Sequence, residues 1–110
     1  MTRVFKTIDV GTVSAGGSTS DSVTADKDYK IEKIIAVEKS GASLTNVTAT
    51  LRIDDFVFTR DKIPLSVLQG YMNQVPELGY DWSKGSTLYY SVANDGTSDV
   101  NIYLVLVLEE

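Results

Sequence analysis

A chain of 110 residues with neither cysteine nor histidine has a short chemical vocabulary. Disulfides, thiolate metal sites and thiol nucleophiles are excluded. The commonest general base and the commonest transition-metal ligand are excluded with them. Catalysis would have to use carboxylates, hydroxyls, phenols or amines. Asp54 and Asp55 are adjacent, but neighbours on an extended chain point to opposite faces, so they read as a tight turn rather than a glycosidase pair. Asp26 and Asp28 flank Lys27, with Asp21 nearby. Their spacing falls well short of an EF-hand loop, and they read as solvated loop charge. Ser66 (with Leu68 and Gln69 after it) and Ser83 beside Lys84 invite a Ser–Lys reading. Such a pair needs a desolvated lysine and an oxyanion hole, and neither is encoded locally. Gly16-Gly17 has no following lysine or helix to cradle a phosphate. No catalytic residue, metal site or cofactor is expected.

Binding chemistry is better represented. Tyr71, Tyr80 and Trp82 fall in one irregular stretch, with Asn73 and Asp81 as polar neighbours. Three readings stand: a platform for a sugar ring, an anchor at a protein interface, or closure of one end of the core by the chain's only tryptophan.

The elements that must position these residues are strands. Tyr29–Glu38 divides into Tyr29, Ile31, Lys33, Ile35 and Val37 on one face and Lys30, Glu32, Ile34, Ala36 and Glu38 on the other. Residues 44–53 oppose Val47, Ala49, Leu51 and Ile53 to Asn46, Thr48, Thr50 and Arg52, and residues 87–93 repeat the pattern through Leu88, Tyr90 and Val92. Period two with Val, Ile, Thr and Tyr predicts half-buried antiparallel strands. Further strands are expected over 3–13 (with Val4, Ile8 and Val10 on one side), 20–25 and 56–60. Gly/Ser connections at 15–18 and 40–43 and the Asp54-Asp55 turn separate them. Asn94-Asp95-Gly96-Thr97 predicts a hairpin joining 87–93 to 100–108 as adjacent strands. One short helical turn is expected near 64–70, with Pro64 at its first position and Gly70 ending it. Residues 70–85 then read as the longest irregular loop. Seven or eight short strands in one unbroken domain, residues 1–110, imply an all-β, two-sheet antiparallel sandwich.

The last strand does not suit a solvent-facing sheet. Val100, Ile102, Leu104, Leu106 and Leu108 line one side, yet Tyr103, Val105 and Val107 line the other with Asn101. A strand apolar on both faces is normally covered on both. Cover by the chain's own long loop and cover by another subunit both remain open, and Phe5, opposite Val4, raises the same question. Phe5, Tyr103, Val105 and Val107 are the candidate subunit contacts.

Charge narrows the partners. Ten basic against fifteen acidic residues give a formal charge of −5, and the basic residues are scattered. Direct nucleic-acid binding and adhesion to an anionic membrane are disfavoured. The longest apolar run is too short to cross a bilayer. Residues 1–6 show no hydrophobic signal core, so a soluble product without a signal peptide is expected.

The runs Ser18–Ala25, Tyr29–Lys39 and Ser40-Gly41-Ala42-Ser43-Leu44 through Asp54, followed by Asp81-Trp82-Ser83-Lys84-Gly85 and the 100–108 strand, resemble the small single jelly-roll structural proteins of virions. The resemblance is one of pattern over nearly the whole chain. It implies a jelly-roll fold, a non-enzymatic coat, turret or spike role in the virion, and assembly into homo-oligomers such as trimers or pentamers alongside other virion proteins. Carbohydrate-binding modules share the architecture, so a glycan held by the loop aromatics is the alternative.

Overall fold

Alternation of side chains sets which surface of each strand enters the core, and pairing sets where each strand lies. The computed structural model describes residues 2–59, 61–70 and 74–110. Its elements are β1 (Arg3–Val13), β2 (Ser18–Thr24), β3 (Tyr29–Glu38), β4 (Val47–Ile53), β5 (Phe56–Val57), β6 (Ile63–Pro64), a 3-10 turn (Leu65–Leu68), β7 (Tyr80–Trp82), β8 (Thr87–Asn94) and β9 (Val100–Glu109). One sheet has the order β1-β9-β3-β7, the other β2-β8-β4-β5, with β6 also paired to β4. Every pairing is antiparallel. The order has a simple origin. β1 pairs β9, β2 pairs β8, β3 pairs β7 and β4 pairs β5, so the chain is one long hairpin doubled back at residues 54–55 and then rolled. Rolling adds the β9–β3 and β8–β4 contacts. This is the jelly-roll winding of a two-sheet sandwich.

The core lies between the sheets. Ile102, Leu104 and Leu106 of β9 have no exposed surface and face Leu51, Leu88 and Val92 of the opposite sheet, each at 1% or less. The edge strand β1 is long, and two features blunt it. A bulge lies between Asp9 and Gly11, where Gly11 takes φ +81°, a conformation that suits glycine. Lys6 occupies an inward register position opposite Leu106, and an inward charge discourages edge-to-edge pairing.

Several expectations are corrected. The 94–97 segment is not a hairpin: β8 and β9 lie in different sheets, and the connection crosses the sandwich. Neither Asp95 nor Gly96 adopts the positive φ that a two-residue primed turn needs. The β3 faces also exchange partway along. Ile31 pairs Leu108 and Lys33 pairs Val107, leaving Glu32 as an extra residue. Ile31, Ile34 and Ala36 therefore point inward, while Ile35 and Val37 point out. The 56–60 strand contracts to Phe56–Val57, with Arg60 outside the described residues. The irregular stretch contains β7. Pro64 caps the helical turn rather than opening it, and the turn ends at Leu68, before Gly70. The Asp54-Asp55 turn is present, with Ile53 opposite Phe56 and Asp54 at φ 49°.

Where β5 stops, a side chain continues its pairing. Thr59 is buried, and its Oγ1 accepts the Leu51 N–H at 2.9 Å. Thr59→Val keeps the shape and strands that donor in the core. The expected loss is about 1–3 kcal/mol, read as a lower urea midpoint with an unchanged slope.

Candidate functional site

The outward surface of the β1–β9–β3 layer carries the apolar residues that the core leaves out. Register places them in three rows: Phe5–Val107–Lys33, Thr7–Val105–Ile35 and Asp9–Tyr103–Val37. Phe5 is 61% exposed and Val37 38%, while Ile35, Tyr103 and Val105 are half-buried. Val107 has no exposed surface. It sits on the central strand between Phe5 and Lys33, so it supports the Phe5 side of the patch from beneath and offers no contact surface of its own. Tyr103 is partly covered as well. The Lys39 ammonium lies 4.0 Å from its ring centroid and 3.5 Å from Asp9 Oδ1. Both hold the Lys39 pKa above its usual value, the Tyr103 contact first. The two-faced strand is thus shielded along its centre by its own neighbours, and exposure concentrates on the flanking strands.

Alternation on β7 explains the aromatic residues. Tyr80 and Trp82 are two apart and pair with Ile31 and Tyr29, so both sit on the core-facing side. Trp82 is fully buried. Its Nε1–H donates to the Ser86 carbonyl at 3.1 Å, and its ring lies 5.6 Å from that of Tyr29. It closes one end of the core, and no surface of it remains for a ligand. Tyr80 packs against Phe58 at 4.9 Å and edge-on to Phe56 at 5.2 Å. It borders an apolar cleft of about 340 Å³ with Ile63, Val67 and Leu78. Tyr71 and Asn73 lie outside the described residues. The sequence places Phe56 and Phe58 only in a strand; their i, i+2 spacing is the available signal for a shared face.

Three of the carboxylates weighed for chemistry, Asp54, Asp26 and Asp28, have structural partners. Asp54 Oδ1 accepts the Thr87 N–H at 2.9 Å, fastening the β4–β5 turn to β8. Asp26 Oδ1 accepts the Tyr29 hydroxyl at 2.7 Å, which holds its pKa below the usual carboxylate value. Asp28 Oδ1 accepts the Lys84 N–H at 2.8 Å. Ser83 and Lys84 form a tight turn closed by the Ser86 N–H on the Ser83 carbonyl. Among the described residues no three metal-ligating side chains gather to hold an ion, and no helix is long and apolar enough to cross a membrane. The arrangement is consistent with a structural or binding role. No protein-family model matches the chain, and no curated protein does either.

Proposed function

We propose that the chain, as a single domain over residues 1–110, is a non-enzymatic jelly-roll subunit of a virus particle (coat, turret or spike) that associates with copies of itself and with other virion proteins. The observation that carries this reading is the contiguous outward patch of Phe5, Ile35, Val37, Tyr103 and Val105 on a sandwich whose core is already filled. The jelly-roll winding and the structural engagement of the acidic residues support it. The alternative of a glycan held by the loop aromatics is weakened, because Trp82 is buried.

Covering a large apolar side chain contributes roughly 1.5–3 kcal/mol when burial is complete, and these residues would gain only their exposed fraction. Val105→Asp places an unpaired charge at the centre of the patch. Light scattering at micromolar concentration should show an oligomer for the natural sequence and a monomer for this variant, with an unchanged far-UV spectrum. A natural chain that is monomeric at every concentration overturns self-association. Peptides of this chain in purified particles test the virion assignment separately.

A further inference from the structure

The surface on the other side of the sandwich has a different character. Outward register positions on β2, β8 and β4 form the rows Ser18–Ala93–Thr48, Ser20–Ser91–Thr50 and Ser22–Tyr89–Arg52, with Thr24–Thr87 beyond them. Eight of these eleven positions are serine or threonine. The exceptions are Ala93, Tyr89 and Arg52. Tyr89 is 37% exposed and has only the small Ser22 beside it on β2. Its other neighbour, Arg52, lies with its guanidinium carbon 3.7 Å from the ring centroid, and Arg52 Nη1 also donates to the Asp54 carbonyl. Ring and guanidinium are therefore held in place before any partner arrives.

A groove of about 320 Å³ runs along this pair, bordered by Ser20, Ser22, Thr50 and Ser91. A hollow of about 200 Å³ continues it past Thr50 and Ser91 to Thr48 and Lys62. The Thr48 hydroxyl is buried there with no hydrogen-bond partner among the described residues. One carboxylate borders the groove: Asp21, whose Oδ1 accepts the Ser22 N–H at 2.8 Å. The described residues place no carboxylate within ion-pair distance of Arg52, although the chain carries fifteen acidic residues.

These features specify a ligand chemistry. Serine and threonine hydroxyls both donate and accept, so they suit a partner rich in hydroxyls. The face of Tyr89 away from Arg52 suits an apolar ring surface. A fixed guanidinium with unspent donors suits a carboxylate, which it can hold through two parallel hydrogen bonds. We propose that this groove binds a saccharide ring that bears a carboxylate, of the uronate or sialate type. The carboxylate would lie on Arg52, the ring against Tyr89, and the hydroxyls on Ser20, Ser22, Thr50 and Ser91. The site lies on the sheet opposite the assembly patch, so it goes beyond the reading above and does not depend on it.

The test is an amide-shift titration of the natural protein and of the Val105→Asp variant with trigalacturonate, sialyllactose and neutral maltotriose. Saturable shifts centred on residues 20–22, 50–52 and 89–91 are expected with at least one acidic saccharide and not with maltotriose, and the responding saccharide identifies the source. Affinity should weaken as salt is added. Arg52→Gln should weaken it about tenfold, as loss of one charge-assisted contact implies, and Tyr89→Ala should weaken it also, both with unchanged shifts elsewhere. Equal response to maltotriose, no response at these amides, or an unaffected Arg52→Gln variant would overturn the site. Because the titration includes Val105→Asp, failure of assembly and failure of this site give different results.

Discussion

Asn94→Leu should lower stability by about 2–4 kcal/mol and the thermal midpoint by about 10–20 °C. Asn94 closes β8 at the point where the chain crosses between sheets, and it is 1% exposed. Its Nδ2 donates to the Val13 carbonyl at 3.0 Å and the Ser98 carbonyl at 2.8 Å, while its Oδ1 accepts the Gly96 N–H at 3.0 Å. One amide thus ties the end of β1 to both sides of the crossing. Leucine fills a similar volume and makes none of these bonds. Ser98 and Gly96 lie near the surface and can turn to water, but Val13 is buried, so its carbonyl bears most of the loss. Asn94→Asp is the sharper control. It keeps an acceptor for Gly96 yet offers no donor at neutral pH and sets a negative charge against two carbonyls. It should destabilise at least as much. Urea unfolding followed by the emission of buried Trp82 measures both variants, and a leucine variant within 0.5 kcal/mol of the natural protein (about the scatter of a neutral surface change) would refute this role.

The second large effect depends on pH. Glu38 ends β3 with a carboxylate that accepts the Ser40 N–H and hydroxyl through Oε1 and the Asn101 N–H at 2.8 Å through Oε2. The Ser40 hydroxyl, followed by the Asn101 amide, pulls its pKa from 4.5 down to about 2. The unfolded chain therefore takes up this proton at higher pH than the folded one does. The stabilisation is complete above pH 4.5, erodes as pH falls from 4.5, and is gone below about 2. Its size is about 2 kcal/mol once water at the sheet margin is allowed for. Glu38→Gln should cost that amount at pH 7, and the cost should vanish near pH 2. The difference between the two proteins isolates Glu38 from other acids. One of these, Glu32, has the opposite sign, because contact with Glu109 raises its pKa. A constant difference between pH 7 and pH 2 would show that the carboxylate is not held in this way.

Sequence alone revealed the elements that period two governs. β8 and β9 appear within a residue of their expected limits, and β4 starts three residues later than expected; Val47, Ala49, Leu51 and Ile53 alternate without interruption, as do Leu88, Tyr90 and Val92. Period two locates β3 but gives the wrong faces beyond the register shift between Ile31 and Lys33. Ile34 and Ile35 are both apolar, so side-chain type could not reveal the extra residue at Glu32 that decides which of them turns inward. The Asn94-Asp95-Gly96 run has the composition of a hairpin, yet its path is set by the partners of β8 and β9, which lie far away in sequence. The same limit applied to the surfaces. Phe5, Tyr103 and Val105 were legible as apolar residues out of place, but the shielding of Val107 depends on what β1 and β3 set beside it. Period two turns Tyr89 and Arg52 outward, but only the register between β8 and β4 shows that the two are neighbours. The serines at 18, 20 and 22 and the threonines at 48 and 50 were the available hint.

The outermost rung of the rolled hairpin has a mechanical consequence. Residues 2 and 110 exchange two backbone bonds, the Glu110 N–H on the Thr2 carbonyl at 2.9 Å and the Thr2 N–H on the Glu110 carbonyl at 3.4 Å. Tension applied through these two positions would peel β1 from β9 one bond at a time, as a zip opens, instead of shearing the whole ladder together. A tether between the same two positions would bridge a gap only one strand wide and protect the seam where peeling starts.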